Sequence, residues 1–396
     1  MDTSTTIASL DIEHARALTP GCEHVLHFNN AGASLMPRPV LEASIGQLER
    51  EARMGGYEAA DHMAQQNGAV YGSIARLIGC HPDEVALAEG SSQAWHKAFH
   101  AVPLRAGDRV LTASNEYNSN WLSLLRTCEQ RGCSLELVPN DASGQVDVAA
   151  LSNMLDDRVK LVALTHIATS NGMVNPVEAV GRALRGSNAL YLLDACQSIG
   201  QRTVDVERIG CDMLASAGRK FLRGPRGTGF LYVRRAILDR LEPSVIDSHA
   251  ARWTGRDTYA WRPDARRFET LEHSVALRLG LGAAVDHALG WGLDAIAERI
   301  ALLSSSLRQQ LAQVPGVAVR DQGEVRSGIV TFTAGGPSAD ERMMSLRAQG
   351  INVSVSRLQL AWLDMEPRGL DRMLRASLHY YNTEAEVDRF VRAIAQ

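Results

Sequence analysis

Two stretches decide the fold: ALYLLDACQSIG at residues 189–200 and DMLASAGRKFLRGPRGTGFLYV at residues 212–233. Each contains an apolar run of strand length. Asp194 stands at the end of the first run, and Lys220 follows the end of the next. Open α/β sheets bind ligands in the crevice outside the carboxyl ends of their strands, so we expect the two charges to meet there. For an isolated Asp and Lys, a structural ion pair is the alternative interpretation.

Outward from these stretches, apolar runs of strand length alternate with amphipathic segments of helix length from about residue 38 to about residue 235. The predicted strands are 85–89, 108–114, 134–139, 160–167, 189–196, 213–217 and 228–234. The predicted helices between them include 91–102, 118–132, 146–155 and 176–185. This alternation predicts an α/β fold with a mostly parallel seven-stranded sheet that is covered by helices.

A chain of 396 residues exceeds what one hydrophobic core usually supports, so we expect two domains. The predicted large domain spans residues 23–268, and a smaller α+β domain combines residues 1–22 with residues 269–396. Its predicted helices are 293–313, 339–349 and 384–395, and its predicted strands are 328–333, 351–355 and 374–379. Residues 247–267 lack a clean period and are predicted to form a long irregular loop.

Composition and charge exclude several classes of protein. The formal net charge of -4 and the absence of a basic run argue against binding to nucleic acid. No apolar run approaches the length of a membrane helix, and the first residues lack the features of a signal peptide, so we expect a cytoplasmic protein. The six cysteines form no CxxC pair and are expected to be reduced. His96 and His100 lie one helical turn apart, but no third ligand is evident and we expect no metal.

A candidate phosphate site lies in GSSQAW, where Gly90 ends a strand and Ser91 and Ser92 open a helix with free backbone N–H groups. A plain helix N-cap is the alternative. By contrast, GPRGTG at residues 224–229 imitates a dinucleotide loop but leads into the strand FLYV. A dinucleotide fingerprint must open a helix, so we do not expect NAD.

In their order, these motifs resemble the pyridoxal-phosphate enzymes of fold type I. Within them they resemble the aminotransferase class V family, which contains cysteine desulfurases, selenocysteine lyase and isopenicillin N epimerase. The resemblance implies that Lys220 holds the cofactor as a Schiff base and later moves the α-proton of the substrate. It also implies that Asp194 pairs with the pyridine nitrogen and that Gln197 lies near the phenolic oxygen. In desulfurases the lysine follows Ser-x-His. Here the preceding residues include Ser216 and Arg219, and the resemblance implies that both bind the cofactor, with the guanidinium of Arg219 at the phosphate.

The resemblance assigns further roles around the cofactor and substrate. Tyr117 in SNEYNSNW is placed over the cofactor face, and Thr169 in HIATSNGMVNP near the phenolic oxygen. Arg375 in LRASLHYY is placed at the α-carboxylate of the substrate, for which its planar fork is suited. Packing under the sheet edge is the alternative for Tyr117, and a structural salt bridge is the alternative for Arg375. The opening motif HFNNAGASLMP is placed near the substrate, through Asn30, Ala31 and Gly32.

The sequence also bears on the reaction. Desulfurases carry a cysteine shortly before the arginine of Arg-Ala-Ser-Leu, but SVSRLQLAWLDMEPRG at residues 354–369 has none, and no cysteine follows Cys211. This favours a C–S β-lyase of cysteine-type conjugates without a persulfide cysteine. A class V aminotransferase or an amino-acid epimerase is the alternative, and a catalytically silent binding protein is a remote one. The resemblance implies a homodimer with active sites at the subunit boundary, although Glu272 replaces a threonine that desulfurases offer to the partner's phosphate.

Overall fold

The computed structural model describes residues 10–396, and all of the following helices and strands lie in that part of the chain. The strands are β1 (Leu26–His27), β2 (Val85–Ala88), β3 (Arg109–Thr112), β4 (Ser134–Leu137), β5 (Val159–Thr165), β6 (Leu190–Asp194), β7 (Met213–Ala217), β8 (Gly229–Val233), β9 (Ala251–Gly255), β10 (Thr258–Trp261), β11 (Val317–Val319), β12 (Ile329–Ala334), β13 (Ile351–Asn352), β14 (Ser354–Arg357) and β15 (Arg372–Ser377).

The helices are α1 (Ile12–Ala17), α2 (Arg38–Met54), α3 (Gly56–His62), α4 (Ala64–Ile78), α5 (Ser91–His100), α6 (Asn118–Arg131), α7 (Val148–Met154), α8 (Val177–Ala183), α9 (Val206–Ile209), α10 (Val275–Trp291), α11 (Leu293–Leu311), α12 (Ala339–Ala348), α13 (Trp362–Met365) and α14 (Glu384–Ala395). None of them combines the length and the apolar character that crossing a lipid bilayer requires.

A seven-stranded sheet forms the centre of the molecule, in the spatial order β2-β8-β7-β6-β5-β3-β4. Strand β8 runs antiparallel to both of its neighbours, and the other pairings are parallel. The predicted α/β fold with a mostly parallel sheet is therefore confirmed. The register places Thr165 of β5 opposite Asp194 of β6, and Asp194 opposite Ala215 of β7, so polar strand ends meet at one edge.

Helices cover both faces of this sheet, because side chains alternate across a strand. In β6, Tyr191 and Leu193 join a core cluster with helices α4, α8 and α10, whereas Leu190 and Leu192 join a second cluster with α5 and α6. Burial on both faces explains why the strands read as nearly continuous apolar runs.

A smaller antiparallel sheet of order β11-β12-β15-β14 packs on α11, α12 and α14 through its own apolar cluster. Leu26 and Phe28 join this cluster, and β1 pairs with β13. In contrast, Leu281 and Val285 of α10 belong to the core of the large sheet. The division at residues 268 and 269 stays a prediction, and we propose to move it to the junction of α10 and α11 near Gly292.

Three segments differ from the sequence-based expectations. Residues 251–261, expected as part of an irregular loop, form the β9–β10 hairpin, whose side chains are mostly exposed and therefore carry no apolar alternation. The predicted strand 351–355 is divided between β13 and β14, which pair with different strands. Helix α10 was not predicted, because it is apolar around most of its circumference and lacks an amphipathic period.

Candidate active site

A cavity of about 310 Å³ opens where β5, β6 and β7 end and α5 begins. This is the crevice in which open α/β sheets place their ligands. Its wall contains nine of the residues predicted to bind the cofactor: Gly90, Ser91, Ser92, Tyr117, Thr169, Asp194, Gln197, Arg219 and Lys220. Two stretches that are distant in sequence, at residues 90–92 and 194–220, therefore meet in one pocket.

Asp194 is a buried carboxylate at the end of β6, with 4% of its surface exposed. Its Oδ1 accepts from the backbone N–H of Cys196 and its Oδ2 from Asn120 Nδ2, both at 2.9 Å. Burial raises the pKa of Asp194, while the charge of Lys220 and these two hydrogen bonds act in the opposite direction. Two hydrogen-bond donors thus hold the carboxylate in place, and it can pair with a positively charged group in the cavity.

Lys220 follows β7 and is buried, with 7% of its surface exposed. The loop is folded by hydrogen bonds from Arg223 N to Lys220 O and from Gly218 N to Thr228 O. The Nζ atom lies 5.9 Å from the centroid of the Tyr117 ring. This arrangement presents a lysine amine and an aromatic ring on the same wall, near the Asp194 carboxylate.

One end of the cavity is formed by the start of α5. Gly90 is the N-cap residue and no side chain of the described residues caps the helix, so the first backbone N–H groups of α5 remain available to an anion. Arg219 and Arg226 line the same cavity. Close packing is possible because residue 229 is glycine, where a Cβ would come within 2.6 Å of Ser216 O and 2.8 Å of Gly90 C. The end of the cavity suits a phosphate.

Arg375 of β15 reaches the site from the small sheet. Its Nη1 donates to the carbonyl and to the hydroxyl of Thr169, both at 3.1 Å, and its Nη2 lies 3.5 Å from Asn29 Oδ1. Its Nε is buried and has no acceptor in residues 10–396. Burial lowers the pKa of Arg375 to about 10. A partly buried guanidinium with neutral oxygen partners suits an anion from outside the chain.

Gln197 and Thr169 connect this arginine to the cavity. The Nε2 of Gln197 donates to Thr169 Oγ1 at 2.6 Å and to the carbonyl of Ala31 at 3.1 Å. Within the described chain its Oε1 is buried without a donor. Gln197 therefore lies between the cavity and the opening motif, with one hydrogen-bonding position left for a ligand.

Similarity to known proteins agrees with this geometry. The sequence matches the aminotransferase class-V family over residues 26–390. A cysteine desulfurase of Salmonella agona is 33% identical over 298 residues, which cover 74% of this chain and 72% of that protein. The chain belongs to the aminotransferase class-V family.

Solved structures show the same fold. The apo cysteine desulfurase from Thermococcus onnurineus superposes with a TM-score of 0.91 at 26% identity and covers 98% of both chains. The cystine C–S lyase C-DES, in complex with cysteine persulfide, has a TM-score of 0.86 at 22% identity over 96% of this chain and 99% of that chain. The resemblance to fold type I is confirmed.

Class V enzymes use pyridoxal phosphate, and the expected cofactor is confirmed at the level of the family. The residues of this chain fit it: an uncapped helix N-terminus for the phosphate, Asp194 for the ring nitrogen and the Lys220 amine for the aldehyde. The unsatisfied Gln197 Oε1 and Arg375 Nε provide further open positions near the cofactor and the substrate. The individual roles of these class V residues stay predictions.

Some predicted site residues of this class V enzyme lie behind the cavity wall. Asn30 donates to Ser377 O at 2.7 Å and accepts from Tyr381 Oη at 2.5 Å, so its side chain links the opening motif to the chain at and after the end of β15. Ala31 and Gly32 lie next to it, and Ala31 contacts the site through its carbonyl. Substrate contact by Asn30, Ala31 and Gly32 stays a prediction.

Ser216 is not among the residues that line the cavity. Its hydroxyl is buried in β7 without a hydrogen-bond partner among the described residues, and the neighbouring Ala217 lines the cavity. Successive side chains of a strand point to opposite faces, and cofactor contact by Ser216 stays a prediction. Residues 10–396 contain no cluster of three metal-ligating side chains, and His100 Nε2 contacts the Ser123 hydroxyl at 3.2 Å.

The structure adds class V site residues that the sequence did not reveal. Arg226, Gly227 and Thr228 of the GPRGTG stretch line the cavity. Behind its wall, Glu116 and Asn120 form hydrogen bonds that lead to Asp194. A turn before a helix often contains Asn and Ser as caps, so SNEYNSNW gave no signal that its polar residues are buried.

Proposed function

We propose that this pyridoxal-phosphate enzyme cleaves the C–S bond of cysteine-type amino acids by β-elimination and releases the sulfur-containing leaving group to solvent. Curated relatives are named cysteine desulfurases, which supports chemistry directed at cysteine. A structural neighbour is named a cystine C–S lyase. The choice between a desulfurase and a lyase depends on whether a protein thiol receives the sulfur.

The observation that carries the proposal is the segment of residues 354–369, which contains no cysteine. Hydrogen bonds fix this segment beside the site: Asp364 accepts from Ser170 Oγ at 3.0 Å and from Asn171 Nδ2 at 3.1 Å, and Ser356 Oγ donates to Ser170 O at 3.0 Å. Ser170 directly follows Thr169 of the cavity wall. The segment in which desulfurases present their acceptor is thus present and anchored, but it lacks a thiol.

Five of the six cysteines, including Cys133, do not line the cavity. Cys128 and Cys211 are packed in the cores on the two faces of the sheet. Burial raises the pKa of Cys22 to about 11 and that of Cys80 to about 12, so both are thiols at neutral pH. Cys196 lines the cavity beside Asp194, where its backbone N–H is bonded to the carboxylate. Sulfur transfer requires a thiolate, so release to solvent is the favoured outcome.

Asp194, Arg375 and Lys220 have different roles in the elimination. Bound pyridoxal phosphate supplies an electron sink for the electron pair of the broken Cα–H bond. Asp194 holds the proton of the ring nitrogen and so keeps that sink effective. Arg375 binds and orients the α-carboxylate. Lys220 accepts the α-proton, and the Cβ–S bond breaks with its electron pair leaving on sulfur as a thiolate. Water then hydrolyses the released 2-aminoacrylate to pyruvate and ammonium.

The test is product analysis with cysteine, cystine and S-substituted cysteines. Equal amounts of pyruvate, ammonium and released thiol, or persulfide in the case of cystine, are expected, with no sulfur adduct on any of the six cysteines in intact-protein mass spectra. A keto acid that retains the sulfur would indicate an aminotransferase, and inverted substrate would indicate an epimerase. A protein that takes up no cofactor would favour the silent binding protein. Each of these three outcomes contradicts the lyase.

We also propose that the enzyme is a homodimer. Leu41, Ile45 and Leu48 lie on one face of α2 and are 42%, 45% and 54% exposed. Positions separated by three and four residues form a single stripe on a helix, so these leucine and isoleucine side chains make a continuous apolar surface. A second copy of the chain is the occupant that the family relationship supports, and burial of this stripe would favour association.

A further inference from the structure

A chain of hydrogen bonds behind the cavity connects Asp194 to a second buried carboxyl group, that of Glu116. The amide of Asn120 lies between them. Its Nδ2 donates to Asp194 Oδ2 at 2.9 Å and to Glu116 Oε1 at 2.8 Å, so both of its protons are used. Because both neighbours are acceptors, the opposite orientation of the amide would place Oδ1 against two carboxyl oxygens. The orientation of Asn120 therefore follows from its two partners.

Glu116 is itself held firmly. Its Oε1 also accepts from the backbone N–H of Tyr117 at 2.9 Å and from Thr165 Oγ1 at 2.6 Å. Its Oε2 has a single long contact, to Thr112 Oγ1 at 3.4 Å. Three donors thus converge on Oε1, whereas Oε2 has no other hydrogen-bond contact within residues 10–396. These donors favour a negative charge on Oε1, so burial and the neighbouring carboxylate have to outweigh them for Glu116 to be a neutral acid, whose proton would then be on Oε2.

Burial and the closeness of the two carboxyl groups favour the neutral form of Glu116. Glu116 and Asp194 are 7% and 4% exposed, and both accept from the same amide nitrogen of Asn120. Asp194 is the charged group that acts on Glu116, and Lys220 in turn acts on Asp194. Two buried like charges so close together are unfavourable, so the pair tends to carry one negative charge. Asp194 faces the cavity and Lys220, where a cation stabilises that charge.

We infer that Glu116 is a positioning residue, which as a neutral acid orients Asn120 and thereby fixes the Asp194 carboxylate toward the ring nitrogen of the cofactor. Glu116 also bonds the backbone of Tyr117, whose ring lines the cavity. One buried acid therefore supports two residues of the cavity wall. The inference rests on cofactor binding and not on which bond of the substrate is cleaved.

The test uses the cofactor's dissociation constant and the pH titration of its visible absorbance, which report on Asp194 independently of substrate. Glu116→Gln is the neutral isostere and should stay within about twofold of the wild type, because it keeps the acceptor oxygen. Glu116→Ala and Asn120→Ala should each raise the dissociation constant about tenfold and displace the absorbance titration. Since both act through one chain, the double variant should be little worse than either single variant.

Asn140→Ala is the matched control, because Asn140 bonds the exposed Ser114 hydroxyl away from the cavity. It should leave both readouts unchanged. If Glu116→Gln is as impaired as Glu116→Ala, the residue acts as an anion and the inference is wrong. Unchanged cofactor binding in Asn120→Ala, or additive effects in the double variant, would also overturn it. Should Glu116→Ala fail to fold, Glu116→Gln and Asn120→Ala still decide the question.

Discussion

Arg375 is a partly buried arginine whose hydrogen-bond partners, Thr169 and Asn29, are neutral. If it binds the α-carboxylate, Arg375→Ala should raise KM by about two orders of magnitude, because a charge-assisted bidentate contact is lost. The absorbance of the bound cofactor should stay intact. Arg372→Ala is the control, since Arg372 lies on the same strand but donates an exposed hydrogen bond to Asp340. An unchanged KM in steady-state kinetics of Arg375→Ala would remove this residue from the carboxylate site.

The burial of Glu116 predicts that the free energy of unfolding of the protein depends on pH. Burial, with the nearby charge of Asp194, raises the pKa of Glu116 to about 7 from the ordinary value of 4.5. Between these values the unfolded chain releases the proton and the folded protein retains it, so the free energy of unfolding falls as pH rises. Glu116→Gln has no carboxyl group at this position, so its free energy of unfolding does not fall for this reason. In the cofactor-free protein, the free energy of unfolding of the variant relative to the wild type should therefore rise by on the order of 3 kcal/mol between about pH 5 and about pH 8.

Denaturant unfolding of both proteins across this pH range measures the difference. A difference in the free energy of unfolding between Glu116→Gln and the wild type that stays constant over this pH range would show that Glu116 is already ionised in the folded protein.

At the scale of elements, the segment of residues 354–369 depends on Asp364, which bonds Ser170, Asn171 and Arg368. Asp364→Ala should lower the free energy of unfolding by about 2 kcal/mol, because buried donors lose their acceptor. It should also reduce kcat/KM while cofactor binding is retained, since Ser170 adjoins the cavity wall. Asp371→Ala, which removes an exposed carboxylate paired with Arg372, is the control and should change little. An unchanged kcat/KM in Asp364→Ala would show that the segment of residues 354–369 does not support the active site.

The elements also show how far the sequence was informative. All seven strands of the large sheet were predicted within a few residues, because burial on both faces gives β6 and its neighbours unmistakable apolar runs. The positions of Asp194 and Lys220 followed from the ends of those runs. Helix α10 and the β9–β10 hairpin were missed, because one is buried on most sides and the other on almost none. Burial of Glu116 depends on long-range packing that no local pattern records.

At the scale of the whole molecule, the proposed homodimer places the exposed stripe of α2 between two copies of the chain. Leu48→Asp introduces a charge at a position that is 54% exposed in the single chain, so the monomer should fold normally. Burial of an unpaired charge would oppose association. Sedimentation should show a dimer for the wild type and a smaller species for the variant. Wild-type protein that sediments as a monomer at all concentrations would contradict the proposal.

The central claim is that Lys220 carries the cofactor in the cavity beside Asp194. Borohydride reduction of the enzyme loaded with pyridoxal phosphate, followed by peptide mass spectrometry, tests this most directly, because reduction makes the link between amine and cofactor permanent. We expect the tag on Lys220 alone and no tag at this position in Lys220→Ala. A tag on another lysine, with Lys220 unmodified, would contradict the account.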